Sequence, residues 1–280
     1  VSPMDAQIRF RWLGTAGIEL VMNDQVLLID PYFTRFPVWK LVSGRVRPNR
    51  ALIPDLGQRA DYVLVTHAHF DHMMDVPDLV QNTGAVAIGS PNNCQLLSAC
   101  GVPEGNLREV HAGDSLGLGD YQVEVLKGVH IRLPLFTSGP LRRDLEPPLR
   151  ARDYRMDCYY SFLISAGGQR LLTDPGICLQ DAVAADVLFI YPGRPRSFYE
   201  SLLPLVRPKV VVPYHWDDFF RPLSKPLRPF WRPPGRTFPP LQRVHLAGFG
   251  DMIDAIAPGT VLLEPEVFRN CDLAGLLGVS

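Results

Sequence analysis

The stretch Asp61-Tyr62-Val63-Leu64-Val65-Thr66-His67-Ala68-His69-Phe70-Asp71-His72 runs an apolar, strand-like segment directly into four metal-ligating side chains within six residues. A short apolar run of this kind reads as a buried strand, so His67, His69, Asp71 and His72 fall on a loop at its carboxyl end. Met73 to Asn82 is expected to continue as a helix. Neutral imidazoles and a carboxylate suit zinc, iron or manganese, and two histidines one residue apart converge on one ion when the backbone is a loop. Asp71 and His72 then face a second ion. A lone histidine is ordinarily a satisfied core or surface residue, but this density of ligands at a strand end calls for another explanation.

Working outward, the first third of the chain is strand-rich. Ile8 to Leu13 alternates, and Ile18 to Met22 and Val26 to Asp30 flank Asn23-Asp24-Gln25 as a hairpin. Ala85 to Ile88 reads as the next strand and Pro91 to Cys100 as a helix stopped by Gly101. Leu107 to Val110 and Tyr121 to Leu126 read as strands separated by a glycine-rich connection. Tyr160 to Ile164 and Arg170 to Thr173 form a second hairpin around Gly167-Gly168. A helix from Ile177 to Ala185, a strand from Val187 to Tyr191, a helix from Ser197 to Val206 capped by Ser197, and a strand from Lys209 to Pro213 follow. Alternating strands and helices make this an α/β chain. No repeat with a period of 20 to 50 residues stands out.

The segment Thr66 to His72 resembles the signature of the metallo-β-lactamase superfamily, and the likeness extends over about residues 7 to 264. That family's pattern has a third histidine after a strand, an aspartate after a later strand and a final histidine. His130 follows Tyr121 to Val129, Asp174 follows Leu171-Leu172-Thr173, and His215 follows Val210 to Tyr214. The resemblance implies a four-layer αββα sandwich of two mixed β-sheets with the site at one edge. It implies that His67, His69 and His130 bind one divalent ion, that Asp71, His72 and His215 bind another, and that Asp174 bridges them. Zinc is the first choice, with manganese or iron as alternatives. Two cations sharing a water lower its pKa and make it a hydroxide nucleophile, so Asp71, His72 and Asp174 are the expected catalytic residues. Leu28-Ile29-Asp30-Pro31-Tyr32-Phe33, the absence of a Gly-Gly pair after His72, and Pro213-Tyr214-His215-Trp216-Asp217 resemble the branch containing ascorbate-6-phosphate lactonases and N-acyl phosphatidylethanolamine-hydrolysing phospholipase D. Asp30 is expected to orient a ligand histidine or hold the loop, and Asp75 to cap a helix or support the ligands. His111 and His245 are expected to be structural or exposed.

The 280 residues, 46% hydrophobic and with a formal net charge of -1, describe a soluble globular chain and exclude disorder as its main state. One domain spanning 1–280 is expected, with insertions at 31–54, 131–155 and 219–240. No apolar run reaches the roughly 18 residues of a membrane span. Val1-Ser2-Pro3-Met4-Asp5 lacks the features of a signal peptide, so a cytoplasmic location is expected. Five scattered cysteines without a Cys-x-x-Cys pair point to reduced thiols.

The insertions at 131–155 and 219–240 combine prolines, arginines and aromatic residues. Folded over the metals, they would bring guanidinium groups to an anionic moiety and rings to an apolar one. Tyr32, Tyr214, Arg142, Arg143 and Trp231 are the candidate substrate residues, with Tyr32, Tyr214 and Asp71 also proton-donor candidates. The expected substrate is an anionic or amphiphilic small molecule hydrolysed at a phosphodiester, with a lactone or carboxylic ester as the alternative and iron-dependent redox chemistry as a further one. Near-neutral charge and a proline-broken basic segment argue against a nucleic-acid partner. A solvated rim or a homo-oligomer contact is the plainer use of the insertions. Phe230-Trp231 between Arg228 and Arg232 also suits a peripheral membrane contact.

Overall fold

A computed structural model describes residues 8–53, 59–130, 137–174, 183–231 and 242–277, with Asp174 and Ala274 described by their backbone only. In chain order the strands are β1 (Arg9–Gly14), β2 (Gly17–Met22), β3 (Gln25–Ile29), β4 (Tyr62–Leu64), β5 (Val86–Gly89), β6 (Leu107–Glu109), β7 (Ser115–Leu118), β8 (Tyr121–Lys127), β9 (Thr137–Ser138), β10 (Arg155–Met156), β11 (Tyr160–Ala166), β12 (Gln169–Asp174), β13 (Val187–Ile190), β14 (Val210–Pro213), β15 (Val261–Leu262) and β16 (Asn270–Asp272). The helices are α1 (Phe70–Met73), α2 (Val76–Thr83), α3 (Pro91–Ala99), α4 (Arg196–Val206), α5 (Leu246–Ile256) and α6 (Leu273–Leu277).

Two seven-stranded mixed sheets result, ordered β16-β1-β2-β3-β4-β5-β6 and β15-β14-β13-β12-β11-β8-β7, beside a small parallel β9–β10 pair. Phe10, Trp12, Ile18 and Leu20 of the first sheet pack against Val123, Val125, Phe162, Phe189 and Val212 of the second, so the main core lies between the sheets. Strand β8 shows the cause in its own sequence, burying Tyr121, Val123 and Val125 while exposing Gln122 and Glu124. Tyr121 also ties the layers by donating from its hydroxyl to Leu20 O and Gln25 O, at 3.1 and 3.0 Å.

The outer faces are apolar too, which is why β4 and β13 read as continuous hydrophobic runs. Leu28, Val63 and Val65 pack on Leu79, Val80, Leu96 and Leu97 of α2 and α3. Leu188 and Val211 pack on Tyr199, Leu202, Leu203, Phe249 and Ile253 of α4 and α5. The αββα sandwich is therefore present.

Several local expectations change. The glycine-rich connection contains strand β7, paired antiparallel with β8. The helix expected from Met73 begins instead at Phe70, so Asp71 and His72 lie on α1 rather than on the loop that carries His67 and His69, and it breaks at Met74 and Asp75 before α2. Helix α4 begins at Arg196 behind Pro195, whose fixed φ suits that position, so Ser197 is not its cap. Strand β16 closes the first sheet against β1. Among the described residues, no helix is long and apolar enough to cross a membrane. The expected helix at 177–185 falls largely outside the described residues, as do 54, 131–136 and 232–240 of the expected insertions.

Candidate metal centre

Strands β3, β4 and β5 run parallel in one sheet, and β12, β13 and β14 run parallel in the other, so their carboxyl ends collect the site. A backbone bond from Tyr160 N to Thr66 O at 2.9 Å joins the sheets there. His67, His69 and His130 form one cluster and Asp71, His72 and His215 a second, each with its ligand atoms within 4.8 Å of one another. The clusters adjoin, with the His67 and His72 rings 4.0 Å apart at their centroids. Asp174 is the last residue of β12, paired in register with Ile190, and its side chain lies outside the described atoms.

Hydrogen bonds decide which ring nitrogens carry protons. Thr66 Oγ1 donates to Asp30 Oδ2 at 2.6 Å, which leaves that hydroxyl to accept from His67 Nδ1 at 2.9 Å. His69 Nε2 lies 3.2 Å from Thr137 O, an atom that only accepts. Both protons are thereby spoken for, and His67 Nε2 and His69 Nδ1 face each other at 2.9 Å as two lone pairs. In the second cluster His72 Nδ1 donates to Asp30 Oδ2 at 2.7 Å, and its Nε2 lies 3.1 Å from His215 Nε2. Asp71 Oδ2 lies 3.7 and 3.6 Å from these two nitrogens, and Asp71 Oδ1 is buried without a hydrogen-bond partner. Facing lone pairs and an orphaned carboxylate oxygen are satisfied by a cation, so the donor set fits divalent metal ions.

The electrostatics agree. Burial and then the neighbouring imidazoles hold His67 well below its ordinary pKa, and burial lowers His69 to about 4. Both are neutral at pH 7, the form that binds metal. Asp71 is pushed up by burial, but the adjacent His72 and His215 outweigh this and keep it below the ordinary carboxylate range. His72 is depressed by burial yet raised overall by Asp30 and Asp71.

Backbone strain concentrates at this edge. Thr15, Asp30 and His215 have φ of 50°, 45° and 56°, a region that non-glycine residues rarely occupy. His215 is held there by a bond from its N–H to Thr15 O at 2.8 Å. Thr15 N in turn donates to Asp217 Oδ1 at 2.9 Å, and the Arg35 guanidinium bridges Asp217 Oδ2 and Thr15 Oγ1 at 2.6 and 3.2 Å. Gly14, at φ +88°, is required beside this turn because a Cβ there would lie 2.5 Å from Arg35 Nη2.

Asp30 carries the ligand-orienting role expected of it. Asp75 supports the loop and does not cap α2 with its side chain: its Oδ2 accepts from Phe33 N and Thr34 N, at 2.6 and 2.7 Å, and its Oδ1 from Thr34 Oγ1 at 2.6 Å. Tyr32 is fully buried, packed edge-on against Phe70, and burial raises its phenol well above the ordinary range. Tyr214 lies in the inter-sheet core against Phe189, because alternation at the end of β14 turns it away from His215. Arg142 and Arg143 are exposed. Trp231 is 44% exposed with the Arg243 guanidinium over its ring, and Phe230 packs on Phe219. His111 is exposed, and His245 caps α5 by accepting from Gly248 N.

Sequence reasoning missed Tyr159, whose ring lies 4.9 Å from His67 and 5.5 Å from His130, and Arg194, which reaches Val129 O next to His130. Neither position carries a local signal. Asp217 stands in the quoted run after His215, but its role depends on Arg35.

Residues 25–183, more than half of the chain, match the beta-lactamase superfamily domain. The chain belongs to the metallo-β-lactamase superfamily. A relative within curated proteins is a UPF0173 metal-dependent hydrolase of Carboxydothermus hydrogenoformans, 27% identical over 223 residues, covering 76% of this superfamily member and 86% of the relative. Among solved structures, the metallo hydrolase Igni18 of Ignicoccus hospitalis is 16% identical, with a TM-score of 0.62 over 95% of this chain and 97% of its own. CmlA, a diiron β-hydroxylase of Streptomyces venezuelae, is also 16% identical, with a TM-score of 0.57 over 95% of this chain and 54% of its own. These two likenesses concern the fold of this superfamily member.

Proposed function

We propose that this chain is a dinuclear metal-dependent hydrolase acting on a phosphodiester of an anionic, amphiphilic small molecule. The observation that carries the reading is the pair of adjoining three-residue clusters, in which His67 Nε2 and His69 Nδ1 face each other as lone pairs with their other ring protons committed, and Asp71 Oδ1 is buried without a hydrogen-bond partner. His67, His69 and His130 would hold one ion and Asp71, His72 and His215 the other, with Asp174 at the end of β12 as a further carboxylate ligand. Zinc suits the set best, and manganese or iron accept it. Bound divalent cations supply a water of lowered pKa and neutralise charge at the attacked phosphoryl group.

The chain's own part is orientation and exclusion of water. Asp30 and Thr66 hold the Nδ1 protons of His72 and His67 away from the centre, and Thr137 O holds the Nε2 proton of His69. Phe70, Phe219 and Phe220 form an aromatic cluster, with Phe219 5.9 Å from His215, which supports an apolar substrate portion beside the second cluster. The Arg194 guanidinium, bonded to Val129 O at 3.2 Å, supports an anionic one beside the first.

The test is hydrolysis of bis-p-nitrophenyl phosphate by metal-replete protein, with His72→Ala and chelated protein as controls and an aliphatic lactone assayed in parallel. Phosphodiester turnover lost in both controls is the expected result. Turnover of the lactone alone would replace the phosphodiester with the ester reading suggested by the branch resemblance at 28–33 and 213–217. Bound iron with an optical or spin signal and no hydrolysis of either compound would replace hydrolysis with redox chemistry.

A further inference from the structure

Eight large apolar side chains are exposed among the described residues, and three of them fall within five positions: Val38 at 57%, Trp39 at 60% and Val42 at 73%. The other five are scattered singly along the chain, as surface apolar residues ordinarily are. The three lie on and just after a single 3-10 turn, Val38–Leu41, with Lys40 between them.

This turn is anchored rather than loose. Phe36 and Val46 on either side are buried in the core beneath it, and Leu41 packs against the same core. Val46 N donates to Leu149 O at 2.8 Å, Arg45 donates to Pro148 O at 2.9 Å, and Ser43 Oγ closes the turn on Trp39 O at 3.1 Å. The apolar side chains are therefore held outward by a fixed backbone at a hydration cost, with the Lys40 ammonium 5.9 Å from the Trp39 ring centroid.

Charge selects what covers them. From residue 31 to residue 54 the chain carries Arg35, Lys40, Arg45, Arg47 and Arg50 and no acidic residue. Arg35 is consumed by Asp217 in the interior, Arg45 pairs with Glu146 and Arg50 with Asp78, and Lys40 and Arg47 stay on the surface around the turn. The same segment walls a cavity of about 510 Å³ that Arg47 and Arg50 line together with Cys100 and Tyr154, a volume within the range of small-molecule sites. A second copy packed on this face through a two-fold axis would set the same basic residues against one another. A surface of anionic headgroups over an apolar interior matches both features at once.

We propose that the 38–42 turn is a membrane-docking surface, in which Val38, Trp39 and Val42 enter the interface of an anionic bilayer while Lys40 and Arg47 meet its headgroups. The sequence pointed to Phe230 and Trp231 for such a contact. In the structure Phe230 packs on Phe219 and Arg243 covers the Trp231 ring, which leaves the 38–42 turn better suited.

The test is co-sedimentation of the full chain with phosphatidylcholine vesicles, with and without phosphatidylserine, at low and high salt. The expected result is binding to the phosphatidylserine vesicles, weakened by salt, with about a fivefold loss for each basic side chain removed in Lys40→Ala and Arg47→Ala. Val38→Ser/Trp39→Ser/Val42→Ser should reduce binding by at least about tenfold while leaving the circular dichroism spectrum unchanged, because its sites are exposed. Absence of binding to either vesicle, or binding unchanged in the triple variant, overturns the proposal. A dimer in sedimentation equilibrium that the triple variant dissociates also overturns it and assigns the surface to a second copy. None of these readouts depends on hydrolytic activity.

Discussion

Arg35 and Asp217, 182 residues apart in sequence, form an ion pair at 2.6 Å in which neither side chain has any solvent exposure. Arg35 also donates to Asp218 O at 3.1 Å and to Thr15 Oγ1, so its fork joins the loop after β3, the β1–β2 turn and the segment after β14 that carries His215. Breaking a buried pair strands the remaining charge. Asp217→Ala is expected to destabilise the chain by roughly 3–5 kcal/mol in urea unfolding. Surviving folded protein should hold less metal at the cluster containing His215, read as a fall in metal per chain by mass spectrometry.

Asp30 acts on the metal centre without belonging to either cluster. Its carboxylate takes the Nδ1 proton of His72 and both the N–H and the hydroxyl of Thr66, which in turn orients His67. Asp30→Ala should lower metal affinity by roughly 10- to 100-fold in competition with a chelating dye. An affinity equal to that of the unaltered chain would remove Asp30 from this role.

Asp75 gives a pH dependence of defined sign. Burial pushes its carboxyl up to about 6, against an ordinary value of 3.8. The folded state therefore binds the proton more tightly than the unfolded one, and stability from this group is full below about pH 4 and is lost as pH rises through about 6. In Asp75→Asn the neutral amide removes that slope. The stability of the unaltered chain relative to Asp75→Asn should fall between pH 4 and pH 6 by up to about 3 kcal/mol, measured by denaturant melts across the window. A flat difference would contradict the raised value.

Deletion at the same residue tests packing separately from charge. Asp75→Ala leaves Phe33 N, Thr34 N and Thr34 Oγ1 without their acceptor in a buried loop. A loss of roughly 3 kcal/mol or more is expected, at about 1–3 kcal/mol for each stranded group.

Metal removal should destabilise the fold as well as inactivate it, because the facing lone pairs at His67–His69 repel when nothing lies between them and Asp71 Oδ1 is left buried without a partner. With free metal about a thousandfold above Kd, linkage contributes about 4 kcal/mol. Chelation should then lower Tm by roughly 10 °C, at about 2–4 °C for each kcal/mol in a chain of this size, and added zinc should restore it. An unchanged Tm in a chain shown to have lost its metal would argue against a cation at these positions.

The elements that were legible in the sequence are those whose signal is local. Asn23 and Asp24 take up positive φ between β2 and β3, as a tight hairpin turn demands. Strand β8 declares its buried face by alternation, and the crowding of four ligands behind β4 declares the site. The break between α1 and α2 has a local signal in Pro77, which lacks the N–H a continuous helix needs, whereas the bonds from Phe33 and Thr34 to Asp75, more than 40 residues away in sequence, were not legible.

By itself the sequence determined the order of most elements from β1 to β14, the chemical identity of the ligands and their position near strand ends, since period, turn chemistry and residue type act over a few neighbouring residues. The tertiary structure decided which strand ends meet, that β1 pairs with β16 from the far end of the chain, that Tyr214 turns into the core while His215 turns toward the metal centre, and that Arg35 locks the turn behind His215. Those outcomes depend on how two sheets stack and which buried charges find partners, and the residues involved are brought together only when the whole core closes.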